Sequence, residues 1–453
     1  MAGNNFATTA ASIGEHTPRS IAARLDRLPV SGWHRRMVLL IGLGSFFNLF
    51  EIALGSFLGV LLGAQWSLST LDRSMIIGAL FLGEMIGSIV LAPLADRFGR
   101  RLLFQVNLLT YAVLSLATAF APNLGVFLVL RVVTGMGLGA ELTLVDTYLS
   151  ELLPRARRGR YVAWSYTLGL LAVPVAGGLA KAANTTIAGV AGWRWLLVIA
   201  ASGGLAVWLL RRGLPESPRW LAVTGNTAEA DRIVTAIESQ VPAADQPVLL
   251  SAPPLIADPP PANRYRRRTV LMWVMQIASP VGFYAFASIA PIVLLAKGFD
   301  LAHSLTYSAL TAVGYPLGSL VSVYLTERVE RRTLLITSTL AAGVFGLAFG
   351  LASTISLVIA AGFATTISTV MQSNFTHIYQ AELFHTANRS TAIGLPYAAS
   401  RLVGALLPLG ALTLLSVIGS RGLYSCCAVL LGATALVIRL LGPRTNNQQL
   451  DIT

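Results

Sequence analysis

Glu51, Glu84, Glu141, Asp146, Arg131 and Arg401 each interrupt a long run of apolar residues, in a chain of 453 residues that is 55% hydrophobic and only 12% charged. An ionisable side chain at bilayer depth costs several kcal/mol unless it is paired or faces water, so each is a functional candidate. A carboxylate beside a guanidinium stays ionised, whereas burial favours its neutral form. A small change in the distance between Glu51 and Arg131 would therefore switch Glu51 between charged and protonated states, as a proton-coupling device must; a static ion pair is the plainer alternative. Glu84 admits four readings: a second proton site, a pore-facing acid that attracts a cationic solute, a partner for Arg131, or an acid that merely lies in water near the periplasmic half. Glu141 and Asp146 differ by roughly 140° in direction on a helix, so they cannot share one face.

Arg401 follows Tyr397 by one helical turn, which places both on one face. A buried guanidinium wants an anion. It can hold a carboxylate through two parallel hydrogen bonds while an aromatic face packs on an organic ring, so a small carboxylate, aromatic in the leading case, is the expected solute. Capping carbonyls or pairing within its own bundle are the alternative duties of Arg401. Gln372, Thr376 and Tyr379 form one helical stripe, with Ser373, His377 and Gln380 on the next, and such stripes line water-filled space. An imidazole is the side chain that changes charge near neutral pH, although a lone histidine in an apolar run more often serves as a hydrogen-bonded structural residue. Gln276, Tyr284 and Tyr315 are further pocket candidates.

The elements that must position these groups are membrane helices. A hydrocarbon core roughly 30 Å thick needs roughly 20 apolar residues per helix. Twelve spans satisfy this: 37–62, 72–95, 102–121, 124–150, 161–182 and 192–210, then 269–296, 304–326, 333–352, 355–381, 391–417 and 422–441. Alternate loops are rich in arginine, with Arg35 and Arg36, then Arg97, Arg100 and Arg101, then Arg155, Arg157, Arg158 and Arg160, then Arg328, Arg331 and Arg332. The loops around Gln65, Asn123, Asn184, Lys297 and Thr354 are not. Basic loops stay inside, so both termini are expected in the cytoplasm, of a cell inner membrane. Residues 1–36 hold no cleavable signal and form an N-terminal tail, 37–210 and 269–441 form two six-helix bundles, 211–268 a linker whose Pro-rich SAPPLIADPPPAN is expected to be disordered, and 442–453 a second tail.

The halves repeat. ADRFGRR at 95–101 faces TERVERR at 326–332, and SELLPRARR at 150–158 faces AELFHTANR at 381–389, both at an offset of 231 residues. At the arginine-rich ends Asp146 and Glu151 are expected to join Arg97 and Arg101 in an inside gate that holds the outward-facing state closed. Asp96, Arg100, Glu216, Arg219, Glu327, Arg331, Glu382 and Arg389 complete that set.

These residues resemble the major facilitator superfamily. The run Ala92-Pro-Leu-Ala-Asp-Arg-Phe-Gly-Arg-Arg101 looks like its signature loop, with alanine where the leading glycine is common. Pro215-Glu-Ser-Pro-Arg219 resembles the sugar-porter signature, as do Arg131, Gly135, Gly137 and Gly139 that branch's fourth helix. GLGAELTLVDTYLSELLPRARRGR and AELFHTANRSTAIGLPYAASRLVGALLP are most similar to metabolite:proton symporters, nicotinate-type carriers among them, and to synaptic-vesicle-protein-like and organic-ion carriers. Pro174, Gly177 and Gly178 partly resemble the PxxGG motif of drug:proton antiporters, with Val173 departing from it. The resemblance implies a twelve-helix fold, alternating access about a midplane site, Glu51 as the proton-carrying acid and Arg131 as its partner. It favours inward symport over proton-driven efflux of drug-like or cationic compounds. A non-transporting membrane sensor of solute is the alternative from another class.

Other readings fail. The net charge of +13 is scattered between apolar runs and forms no basic face for nucleic acid. GMGLG lies inside a membrane helix, where close helix packing explains it better than a dinucleotide. No Walker lysine follows a glycine-rich loop, so the proton gradient and not ATP is the expected energy source, with no cofactor and no enzyme activity. His16, His34, His303, His377 and His385 show no HExxH spacing, and the adjacent Cys426 and Cys427 offer neither a disulfide framework nor a metal site. The expected partners are protons, membrane lipid and a small solute, with the chain acting as a monomer.

Overall fold

The computed structural model describes residues 18–183, 186–241, 262–287, 293–294, 311, 313–384 and 389–445. The Pro-rich segment after 241, the loops holding Asn184 and Lys297, His16, His303 and His385, and the side chain of Tyr284 lie outside the described residues. Among those described, nine helices are long and apolar enough to cross a bilayer. Span 1 is Gly32–Gln65, span 2 Thr70–Phe98, span 3 Arg100–Ala119 and span 6 Gly192–Arg211. Span 4 is divided into Leu124–Leu138 and Glu141–Leu152, and span 5 into Arg158–Leu170 and Ala172–Ala182. Both breaks have local causes: a glycine-rich run at 135–139, and Pro174, which offers no N–H to the carbonyl one turn earlier. Spans 7 to 10 are Ala262–Ala287, Gly314–Leu325, Arg331–Leu351 and Ile355–Leu383, and Arg389–Leu441 contains spans 11 and 12, parted at Gly419, where φ is +66°.

Polar residues set where the helices start. Asp72 and Ser69 cap span 2 reciprocally, and Asn123 and Glu330 accept the first free amides of spans 4 and 9. Gly99 turns the chain between spans 2 and 3 at φ +101°, and a Cβ there would lie 2.3 Å from Glu216 Oε2. Val129, Val344 and Val429 are more than half exposed on the outside of the bundle, the arrangement of a protein solvated by lipid.

Spans 2 and 4 touch backbone to backbone through Gly83, Gly87, Gly135 and Gly139, as the packing reading of GMGLG requires. A Cβ added at Gly135 would stand 2.2 Å from the Leu80 carbonyl oxygen, and one at Gly139 2.3 Å from that of Glu84. Such a clash with backbone cannot be relieved by a rotamer change. Gly135→Val is expected to lower stability by about 3 kcal/mol or more, read as a fall in Tm in detergent, while Gly178→Ala, which meets nothing within 4 Å, leaves Tm unchanged. Equal Tm values for both variants would refute this account of the packing.

The halves meet along spans 2 and 11 and along spans 5 and 8. Ser88 Oγ donates to the Gly394 carbonyl at 2.7 Å, and the Thr167 and Ser319 hydroxyls are 2.7 Å apart. Outside the bundles, Pro18–Arg27 forms a helix that the tail's polar composition does not announce. It packs Ile21 and Leu25 against Leu221, Val234 and Ile237 of the linker helices Pro218–Val223 and Thr227–Glu238. Hydrogen bonds to Glu238 hold the Arg24 guanidinium above its usual range, with Asp231 adding to them.

Candidate functional site

A cavity of about 90 Å³ lies between the halves, walled by spans 1, 4 and 5 on one side and 7, 10 and 11 on the other. Gln276, Gln372, Thr376, His377, Tyr397 and Arg401, all expected in the pocket, line it. Tyr166, absent from the sequence-based set, lines it too, with Phe283 and Ser400. Tyr379 does not: it is fully buried and donates to the Pro443 carbonyl at 2.7 Å, because its stripe runs past the cavity toward the arginine-rich end. Tyr315 packs edge-on against Phe283, ring centroids 5.7 Å apart, and so stands behind the wall.

Arg401 reaches the cavity with its guanidinium carbon 4.3 Å from the Tyr397 ring centre. Its Nε stands 2.9 Å from Glu84 Oε2, without the alignment of a hydrogen bond. Glu84 thus belongs to Arg401, across the two halves, and is not the ion-pair partner of Arg131. That partner is Glu51: Arg131 Nη1 donates to Glu51 Oε2 at 2.8 Å and Nη2 to the Glu51 carbonyl at 3.3 Å, while Ser115 Oγ donates to the other carboxylate oxygen. Both charged groups are completely buried, and neither lines the cavity.

The divergence of Glu141 and Asp146 is visible in their partners. Glu141 accepts from Arg211 at 2.7 Å inside the first half, where Gly44 leaves room for the guanidinium. Asp146 faces the second half: Oδ2 is 2.7 Å from His377 Nδ1 and accepts from Gln380 at 2.5 Å, and Oδ1 accepts from Tyr166 at 2.8 Å. Gln276 donates to Gln380 at 2.6 Å, and the Tyr166 and His377 rings stack at 4.3 Å. Asp146 therefore lies behind the cavity wall, bonded to its lining residues His377 and Tyr166, and not in the arginine gate expected for it. Its position five residues before Glu151, about 140° away round the helix, points it at span 10.

The gate itself is assembled from both halves with the 231-residue symmetry of the sequence. Arg100 meets Glu151 at 3.2 Å and, at the equivalent place, Arg331 meets Glu382 at 2.9 Å. Arg389 crosses from the second half to Glu151 at 3.0 Å, Arg157 and Arg160 cross from the first to Glu327 at 3.1 and 3.3 Å, and Asp96 accepts from the Ser390 and Thr391 amides at 3.2 and 2.8 Å. Asp96 also pairs with Arg100 at 3.0 Å. Glu216 accepts the Arg100 and Arg101 amides at 3.0 and 3.1 Å, and burial pushes its carboxyl above the ordinary range against those bonds. Arg219 reaches the Glu151 carbonyl and Asp26, which sequence reasoning missed because it lies in the tail. Arg101 binds the Arg212 carbonyl instead of an acid, and Arg97 is exposed over the Phe98 ring. Neither joins Asp146.

Residues 37–452 match the family described as sugar (and other) transporters. The chain is 31% identical to the inner membrane metabolite transport protein YgcS of Escherichia coli (strain K12), covering 84% of this chain and 85% of that one. It is 25% identical to the niacin transporter NiaP of Acinetobacter baylyi, covering 95% and 99%. The solved proton:xylose symporter XylE bound to 6-bromo-6-deoxy-D-glucose superposes with a TM-score of 0.76 at 18% identity, over 92% of this chain and 97% of that one. With its apolar helices, its paired halves and a cavity between them, the chain belongs to the sugar (and other) transporter family of the major facilitator superfamily, as a multi-pass membrane transporter and not an enzyme.

Proposed function

We propose that this transporter carries a small organic carboxylate inward with protons, by alternating access of the cavity to the two sides of an inner membrane. The observation that carries the reading is Arg401: a guanidinium stacked on Tyr397 at the wall of a cavity that also holds amides, hydroxyls, the His377 imidazole, aromatic rings and aliphatic side chains such as Leu142 and Val370. Such a site offers an anion a charge and an organic ring a flat face. The relative named for niacin, a pyridine carboxylic acid, supports the same class. Efflux of cations finds less support, since the acids beside the cavity are already engaged, Asp146 by His377, Tyr166 and Gln380 and Glu84 by Arg401. Glu51 is the acid that takes up a proton in the loaded carrier and surrenders it in the empty one, when it pairs again with Arg131. The arginine-rich end is cytoplasmic, and its crossing ion pairs hold the carrier closed there.

Purified protein in liposomes, acidic outside, is expected to accumulate nicotinate or benzoate in preference to xylose or an organic amine. Arg401→Lys keeps the charge but loses the fork, and is expected to weaken carboxylate uptake roughly tenfold to a hundredfold, the worth of about 1.5 to 3 kcal/mol in charged hydrogen bonds. Uptake of the amine or sugar alone would overturn the carboxylate reading, and unchanged uptake by Arg401→Lys would remove Arg401 from the site.

A further inference from the structure

Glu84 is held differently from the other buried acids of the first half. Glu51 has a guanidinium and a hydroxyl, and Glu141 has a charged hydrogen bond from Arg211. Glu84 is 2% exposed, and neither of its carboxylate oxygens has a hydrogen-bond partner among the described residues. The opposite charges that face it are Arg401, at 2.9 Å from span 11, and Arg131 from span 4. Arg131 is committed to Glu51 of span 1; of the other acids on span 4, Glu141 is committed to Arg211 and Asp146 to His377. Arg401 lines the cavity, and Glu84 lies behind it.

A carboxylate entering the cavity meets Arg401 from the open side while Glu84 holds it from the other. Two carboxylates on one guanidinium would leave a net negative charge buried at bilayer depth, which costs several kcal/mol. A buried carboxylate stripped of its counter-charge neutralises itself by binding a proton. We propose that Glu84 is the resident counter-anion of Arg401, that a carboxylate substrate takes its place, and that Glu84 then binds one proton on a carboxylate oxygen. The charge balances: the empty site holds Arg401 and ionised Glu84, the loaded site holds Arg401, the substrate anion and neutral Glu84, and both sum to zero. Proton uptake is thereby a condition of binding the anion, and an uncharged isostere carries no such condition. This rests on the reading of Arg401 as the carboxylate site.

The test is calorimetric titration of the purified full chain with nicotinate, benzoate and nicotinamide, in buffers of different ionisation enthalpy. The expected result is uptake of about one proton more per nicotinate or benzoate bound than per nicotinamide, with affinity for the two carboxylates falling, as pH rises, about tenfold more per pH unit than that for nicotinamide while Glu84 is ionised in the free carrier. In Glu84→Gln that difference between the carboxylates and nicotinamide is expected to vanish. Should that variant fail to fold, the wild-type stoichiometry decides alone. Equal proton uptake with the carboxylates and nicotinamide in the wild type, or a difference that persists in Glu84→Gln, overturns the exchange at Glu84 and leaves the carboxylate reading standing. Binding of neither carboxylate overturns both.

Discussion

Glu51→Gln is expected to abolish accumulation of solute against its gradient, by about a hundredfold or more, while exchange of internal for external solute continues. Glutamine fixes position 51 in the neutral form that belongs to the loaded carrier, so the loaded carrier still crosses. The empty carrier needs an anion opposite Arg131, which is completely buried and 2.8 Å from Glu51. Leaving a buried guanidinium without its partner costs about 3 kcal/mol or more, and at about 1.4 kcal/mol per tenfold change that is about a hundredfold in the return step. The measurement is paired: gradient-driven uptake and counterflow in the same liposomes. Normal accumulation would place proton coupling elsewhere, and loss of both activities would mark the pair as structural. The proton on Glu51 and the one on Glu84 are separable, because the first accompanies any loaded carrier and the second only a carrier loaded with an anion.

The second large effect is expected at the gate. Glu151 is the acid on which arginines from both halves converge, Arg100 from its own side and Arg389 from the other, with Arg158 and Arg219 close enough to repel Arg389. In Glu151→Gln these guanidinium groups face one another with their anion removed, so the closed arrangement loses about 3 kcal/mol or more relative to one with the halves parted. The carrier should shift to a state open at the arginine-rich end. Spin labels at the exposed, symmetry-equivalent positions 97 and 328 are expected to report a longer separation in Glu151→Gln than in the parent protein. An unchanged distance distribution would mean that the contacts of Glu327 and Asp96 hold the gate without Glu151.

The architecture was legible because hydrocarbon is an unforgiving solvent: a span must be apolar for about twenty residues, and arginine marks one side. The ion pair of Glu51 with Arg131 was legible for the same reason, since two charges so deep have few places to go. Spacing along one helix, however, gives a face and not the neighbour that the face meets. Asp146 was expected beside Arg97 and Arg101 at the arginine-rich end, although span 4 turns it toward span 10; Tyr379 shared a stripe with cavity residues but lies too near the helix end. Glu84 and Arg401 were both singled out, yet nothing in either stretch says that spans 2 and 11 adjoin. The offset of 231 held more than was taken from it. Tyr166 is the counterpart of Tyr397, and Asp146 of His377.

That last equivalence has a consequence for how such a chain arises from doubling a shorter one. Equivalent positions of a two-fold assembly that touch each other must lie on the axis, where a symmetric ancestor can only set like against like. Aspartate would face aspartate, or imidazole would face imidazole. The contact of Asp146 with His377 at 2.7 Å is open only to a chain whose copies are joined and free to diverge, so the centre of this carrier is where tandem fusion yielded something that no pair of identical subunits can make.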